Sequence, residues 1–350
     1  MSSIKVIGLT RNTSFPRRRE SRILHDVTPL LSLVFFLLLL ANIDFFSYLD
    51  PAQAADIKTD ISLSTGYRVD DLSWNIAGDI SGSNPNVLSE LTWSDLETLQ
   101  ATLSARALVN DWLYLRGSFG YGCIRSGDNQ DSDFDGNHRT QEYSRSNNSA
   151  DDGSVLDAVF GIGYQFEVIS RKLKLIPLIG YSYHEQNLTM TNGFQTISTP
   201  AHVPPTPPYG PLPGLDSSYD AKWTGPWLGI DLSFEITESF TLSGSLEYHW
   251  AEYEAEANWN LIPFLSHPGS FKHDAEGKGF LITLGAEYLL TGPWSLNMAF
   301  SYQKWSAESG FDRLHYANGS IAETRLNEVN WDSYALMLGL VYRFGHKPSP

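Results

Sequence analysis

The sequence predicts an all-β fold: an antiparallel transmembrane β-barrel of about ten strands with long outer loops. Three observations carry that prediction. Apolar and polar residues alternate with a period of two in one segment after another, the signature of strands whose two faces meet different surroundings. The chain is 13% aromatic with 28 glycines, yet its mean hydropathy is low, as it must be when only every second residue faces lipid. The connections also come in two lengths, short turns at one end and long polar segments at the other, matching the periplasmic turns and outer loops of such barrels.

An export signal opens the chain. Arg17, Arg18, Arg19 and Arg22 precede an apolar run from Leu30 to Ala41, followed by the small-residue site Ala52-Gln53-Ala54. That order of charged, apolar and cleavable segments is a secretory signal peptide over residues 1–54; the apolar run is too short for a spanning helix. Residues 55–350 are then the barrel. Ile57, Thr59, Ile61, Leu63, Thr65 and Tyr67 form the first apolar face. Leu99 to Ala107, Leu113 to Tyr121 and Leu156 to Phe166 continue the series, and six further faces run at 173–183, 228–234, 240–250, 280–288, 294–302 and 334–344. Short turns fall at Asn110-Asp111, Ser170-Arg171, Thr237-Glu238 and Thr291-Gly292, and long connections at 124–152, 189–219, 255–277 and 306–328. A soluble β-sandwich also alternates, but it rarely needs ten strands of this length.

A net charge of −16 argues against nucleic acid as a partner, because phosphate binding needs clustered basic residues. With Cys123 as the only cysteine, no intrachain disulfide can form, so an exported chain of this size must rest on a core or a closed sheet. The expected setting is the outer membrane of a Gram-negative-type bacterium, reached through the barrel-assembly machinery, as a monomer. The Trp residues at 112, 223, 227, 250, 294 and 331 read as interface anchors with a few lumen fillers. Arg106 and Arg116 read as inward-facing, with lumen acids such as Glu247 or Asp157 as their partners.

One polar stretch invites chemistry. Residues 127–138 read GDNQDSDFDGNH. Extended to Glu142, the stretch has the spacing D-x-D-x-D-G-x5-E, in which Asp131, Asp133, Asp135 and Glu142 would supply the oxygens of a calcium loop. Strands flank it here, where helices flank the usual motif. A close Asp pair also polarises water or shares a proton. The third reading is a solvated outer loop.

The mature chain resembles the omptins, outer-membrane proteases built on a ten-stranded barrel. The likeness lies in DISLSTGY (60–67), SELTW (89–93), GPWLGIDLSF (225–234), SFTLSGSLEYHW (239–250) and the closing Leu-x-Tyr-x-Phe. The resemblance implies a catalytic Asp-x-Asp after the third strand, where Asp131-Ser132-Asp133 stands. It also implies an Asp-x-His across an outer cleft, where this chain has Glu256 and Asn258 and no histidine. Asn cannot act as a general base. An endopeptidase would therefore need Asp131 and Asp133 with replacement partners such as Glu256 and His273. The resemblance further implies contact with lipopolysaccharide. The expectation is an omptin-like barrel with a surface or structural role through its outer loops, without the usual proteolysis. The endopeptidase, a narrow porin and an adhesin stand as alternatives.

Overall fold

The computed structural model describes residues 56–169 and 172–344; the segment expected to be a signal peptide and the Ser170-Arg171 turn lie outside them. Thirteen strands follow in chain order: β1 (Ile57–Ile76), β2 (Ser89–Val109), β3 (Leu113–Gly136), β4 (Thr140–Ser149), β5 (Gly153–Tyr164), β6 (Phe166–Ile169) and β7 (Leu173–Ile197), then β8 (Gly210–Pro211), β9 (Asp216–Thr237), β10 (Phe240–Asn258), β11 (Phe271–Thr291), β12 (Trp294–His315) and β13 (Ile321–Phe344). All pairings are antiparallel, and β1 pairs with both β2 and β13, which closes the sheet into a ring. Strands β4, β5 and β6 pair in turn with the outer, middle and inner parts of β7, so they share one stave. Strand β8 is only a two-residue clip on β7. The ring therefore has ten staves, the number predicted from the alternation.

Closure follows from the solvent. Inside a bilayer no water can satisfy an open edge, so backbone groups must pair all round. The outward face shows where the lipid lies. Trp294, Leu296, Met298 and Phe300 of β12 all point outward and are exposed, as are Leu336, Leu338 and Leu340 on β13 and Leu242, Leu246, Tyr248 and Trp250 on β10. From Trp294 to Tyr302 is nine residues, roughly 30 Å of strand, enough for an apolar band of about 25 Å. Aromatic girdles mark the inner rim: Trp112 lies 5.7 Å from Tyr164, and Trp294 lies 4.8 Å from Tyr342. No helix among the described residues is long and apolar enough to cross a membrane; the strands do it.

The strands are longer than their apolar faces, because the pattern inverts above the bilayer. On β10 the even positions keep pointing outward, but the residues change from Leu246, Tyr248 and Trp250 to Glu252, Glu254 and Glu256. The odd, inward positions change from Ser243, Ser245 and Glu247 to Ala251, Tyr253, Ala255 and Ala257. Water now bathes the outer face, so the apolar residues move inside. Much of what the sequence suggested were long loops is therefore strand. The connections that remain run over residues 77–88, 137–139, 198–215, 259–270 and 316–320.

The lumen is filled. At bilayer depth Arg116 pairs with Glu247 at 2.6 Å and Asp231 at 3.1 Å, with its guanidinium over Trp227. Higher up, the buried Arg68 pairs with Asp70 and Asp157, and Asp157 also meets His184 at 2.7 Å. Above these polar layers sits an indole stack: Trp305 on Trp331 at 5.4 Å, Trp223 at 5.7 Å from Trp305, and Trp93 on Tyr219 at 5.2 Å. Trp223, Trp227 and Trp331 are thus lumen fillers, while Trp112, Trp250 and Trp294 are outward anchors. Glycines admit the rings. A Cβ on Gly279 would lie 2.4 Å from the Trp305 ring, and one on Gly180 2.4 Å from Trp227.

Trp305→Ala should destabilise the barrel by about 3–5 kcal/mol, and Gly279→Ala by about 1–3 kcal/mol through overpacking. Guanidinium unfolding in detergent, read by loss of heat-modifiable gel mobility, measures both. An unchanged midpoint for Trp305→Ala would show that the indole stack does not hold the wall.

Candidate functional site

The acidic stretch is not a loop. Residues 127–136 form the outer half of β3, and the chain turns at Asn137–Arg139 into β4. In this hairpin Asp131 stands opposite Leu91 and Ser146, and Asp133 opposite Ser89 and Ser144. Alternate residues of an extended strand are about 6.6 Å apart, too widely spread for Asp131, Asp133 and Asp135 to converge within the ~2.5 Å oxygen shell of one calcium ion. Glu142 turns instead to Arg145, which it binds through both oxygens at 2.7 and 2.6 Å. Asp135 meets His202 at 3.1 Å. The wrapped calcium loop is therefore not formed, and no group of three or more His, Cys, Asp or Glu among the described residues is placed to hold a metal.

Asp131 and Asp133 do stand together, on the wall of the outer cavity. The Trp259 indole, at the head of the 259–270 connection, donates to Asp131. Burial, and then the neighbouring Asp133, hold the Asp131 carboxyl well above the usual range; the indole bond opposes them. Burial pushes Asp133 up to about 6, against hydrogen bonds from Ser89 and Ser144. Such a pair holds a proton to higher pH than ordinary carboxylates do.

The proposed partners are elsewhere. Glu256 points outward and pairs with Lys272 at 2.9 Å, both side chains being about half exposed. His273 is buried in the aromatic layer. Its Nδ1 lies 2.8 Å from the Tyr219 hydroxyl, its Nε2 3.2 Å from Asp312, and its ring 4.8 Å edge-on to Trp74. No described hydrogen bond or ion pair joins Glu256 or His273 to Asp131 or Asp133, so the four do not form one constellation. Asn258 accepts from or donates to no acid; its side chain bonds His267 at 2.9 Å. Where an open cleft would separate two catalytic walls, Trp74, Trp93, Tyr219, Trp259 and Phe271 pack together.

Sequence reasoning missed the device above the pair. In the proline-rich connection 198–215, His202 stacks on Tyr143 at 3.7 Å with the rings 7° from parallel. Its Nδ1 donates to the Pro204 carbonyl at 2.9 Å and its Nε2 to Asp135. With a hydrogen-bond acceptor at each nitrogen, both must carry protons, which is the imidazolium. The Pro204 carbonyl, then Asp135, raise the His202 pKa accordingly. Pro204, Pro205, Pro207 and Pro208 stiffen this connection.

The comparisons decide the family. The profile of the Protochlamydia outer membrane protein family matches residues 62–344. The chain belongs to that family. This family member is an outer-membrane β-barrel protein. Its fold is similar to the outer membrane protease OmpT from Escherichia coli, with a TM-score of 0.63 at 14% identity, covering 82% of this chain and 96% of that one. The translocator domain of the autotransporter NalP from Neisseria meningitidis also matches, at a TM-score of 0.35 and 14% identity over 91% of this chain and 98% of that one. No curated protein matches by sequence. At such identity the likeness to OmpT shows the fold alone.

Two pH effects follow. The folded pKa values of the Asp131–Asp133 pair lie above the ordinary value of about 3.9. Their stabilising contribution is thus complete below about pH 4 and is lost as pH rises through the folded values, about 6 for Asp133. Asp131→Asn should raise stability at neutral pH and flatten its pH dependence, as read by unfolding at pH 5 and 7.5; equal slopes would show that the pair does not titrate in the fold. His202 has the same sign: its contact is complete below its unfolded pKa of about 6.5 and lost above the raised folded value. Chymotryptic nicking at Tyr209 should therefore rise between about pH 6 and pH 8, relative to a His202→Gln chain nicked at both.

Proposed function

We propose that this protein acts through its outer rim, as a surface and structural barrel of the outer membrane without omptin-type proteolysis. The observation that carries this reading is the aromatic packing of the outer cavity. Trp93, Trp223, Trp305 and Trp331 are fully buried there, where a protease needs a solvent-filled groove. Proteolysis also needs a base beside the Asp pair, and the replacement histidine expected from the sequence, His273, is engaged by Tyr219 and Asp312 instead. The same packing, continued downward by Arg68 and Arg116 with their acids, supports a lumen that side chains close.

The rim has what a display surface requires. The strands extend well past the bilayer, the hairpin β3–β4 stands on the strap 198–215, and Val203 and Tyr209 are 88% and 72% exposed at its tip. Lipid, including lipopolysaccharide, is the expected company of the outward belt. Such a rim suits adhesion or a lattice of envelope contacts.

Refolded protein with lipopolysaccharide should leave a basic-site reporter peptide uncut, and planar bilayers should show no conductance steps. Cleavage abolished by Asp131→Asn would establish the endopeptidase reading instead. Stable conductance steps would establish the narrow porin.

A further inference from the structure

A pocket opens on the rim away from the Asp pair. It has a volume of about 330 Å³ and is lined chiefly by Asn75, Asn86, Asn327, Arg139, Arg325 and Glu328. Three stretches of chain build it: the outer end of β1 with the 77–88 connection that follows it, the tip of the β3–β4 hairpin, and the outer end of β13. Hydrogen bonds tie them together. The Asn86 backbone donates to Asn137 Oδ1 at 2.8 Å, and the His138 backbone returns a bond to Asn86 Oδ1 at 2.7 Å. Asn327 Nδ2 lies 2.9 Å from both Asn75 Oδ1 and the Asn86 carbonyl, and Asn75 Nδ2 donates to Glu328 at 2.8 Å. The carboxamides are therefore held in place before any ligand arrives, which lowers the ordering cost of binding.

The two arginines differ. Arg139 is engaged by Glu90. Arg325 donates Nη2 to Ser309 at 2.9 Å, while its buried Nε has no hydrogen-bond partner. Gly82 lies against this guanidinium: a Cβ there would be 3.1 Å from Arg325 Cδ and Nη1. Gly82 has a φ of +82°, the left-handed region that glycine adopts without strain. The turn thus needs glycine, and the arginine packs directly against it.

We propose that this rim pocket binds an acidic sugar, a pyranose bearing a carboxylate. The carboxylate sits on the Arg325 guanidinium, whose planar fork matches it. The ring hydroxyls, each both donor and acceptor, meet the Asn75, Asn86 and Asn327 carboxamides, which offer both roles as well. The volume is at the small end for a ligand site and suits one ring with part of a second. No aromatic side chain lines the pocket, so nothing offers a stacking face to a nucleobase or a flat cofactor. In a chain of net charge −16, an anion is otherwise repelled from the surface, so recognition depends on this local cation.

The proposal rests on the outer-rim reading above but is tested apart from it, since neither conductance nor peptide cleavage bears on sugar binding. Titration calorimetry of the refolded barrel in detergent uses glucuronate, with glucose and acetate as comparison ligands. Glucuronate should bind in the millimolar range or tighter, and glucose and acetate each roughly tenfold or more weakly. Affinity should fall with added salt. Arg325→Gln should lower glucuronate affinity roughly tenfold or more, while Arg313→Gln on the neighbouring strand leaves it unchanged. Should Arg325→Gln fail to show the heat-modifiable band of a folded barrel, Asn86→Asp serves in its place: it keeps the oxygen that accepts from the His138 backbone and repels the carboxylate. No heat from glucuronate, equal binding of glucose, equal binding of acetate, or full affinity in folded Arg325→Gln or Asn86→Asp would each overturn the proposal.

Discussion

Everything in this molecule depends on the pairing of β1 with β13. The two strands match residue for residue from Thr59 with Phe344 to Asn75 with Glu328, and that seam removes the last free edge of the sheet. In hydrocarbon an unpaired peptide group costs several kcal/mol, so a ring one stave short would have no stable position in the bilayer. Closure also creates an inside. Once the ring exists, each inward side chain must be matched to the other nine walls, far from it in sequence. The buried Arg68 between Asp70 of its own strand and Asp157 of β5 is stable only because the ring brings those acids to it.

A second constraint acts along the strands. Side chains alternate strictly in and out, so a stave that leaves the bilayer cannot change which residues face which way without a bulge. It changes their chemistry instead. Within the membrane the outward residues are leucine and aromatic and the inward ones are small, polar or charged and paired. Above it, the outward residues of β10 are Glu252, Glu254 and Glu256, and the inward ones join an aromatic layer. That inversion gives the outer half of the barrel a core like that of a soluble protein. It also packs aromatic side chains into the space inside the outer wall.

The Asp131–Asp133 pair shows how environment, more than spacing, sets what a motif does. Its spacing fits a metal loop, a catalytic pair and a solvated tip equally well. In the fold it is a strand segment with Trp259 reaching over to Asp131, and Asp135 and Glu142 spent on His202 and Arg145. Its carboxyls are shifted upward because the pair is enclosed and self-repelling. What surrounds it is a wall, with the strap 198–215 pinned above by His202.

By itself the sequence determined the barrel, its ten staves, its inward-facing Arg116 and its turn end, because these follow from a two-residue period and from turn chemistry that a few neighbours decide. It also carried the absence of a histidine opposite the Asp pair. It did not reveal that residues 124–136 and 140–149 are strands, since the apolar signal there passes to the inner face and the outer face becomes as polar as a loop. Nor could it place Trp223 and Trp331 inside and Trp250 outside, which depends on register. The docking of His202, the burial of His273 against Tyr219 and Asp312, and the rim pocket around Arg325 were decided only by the tertiary structure. Each joins residues tens to hundreds of positions apart, and only closure of the ring brings them within hydrogen-bonding distance.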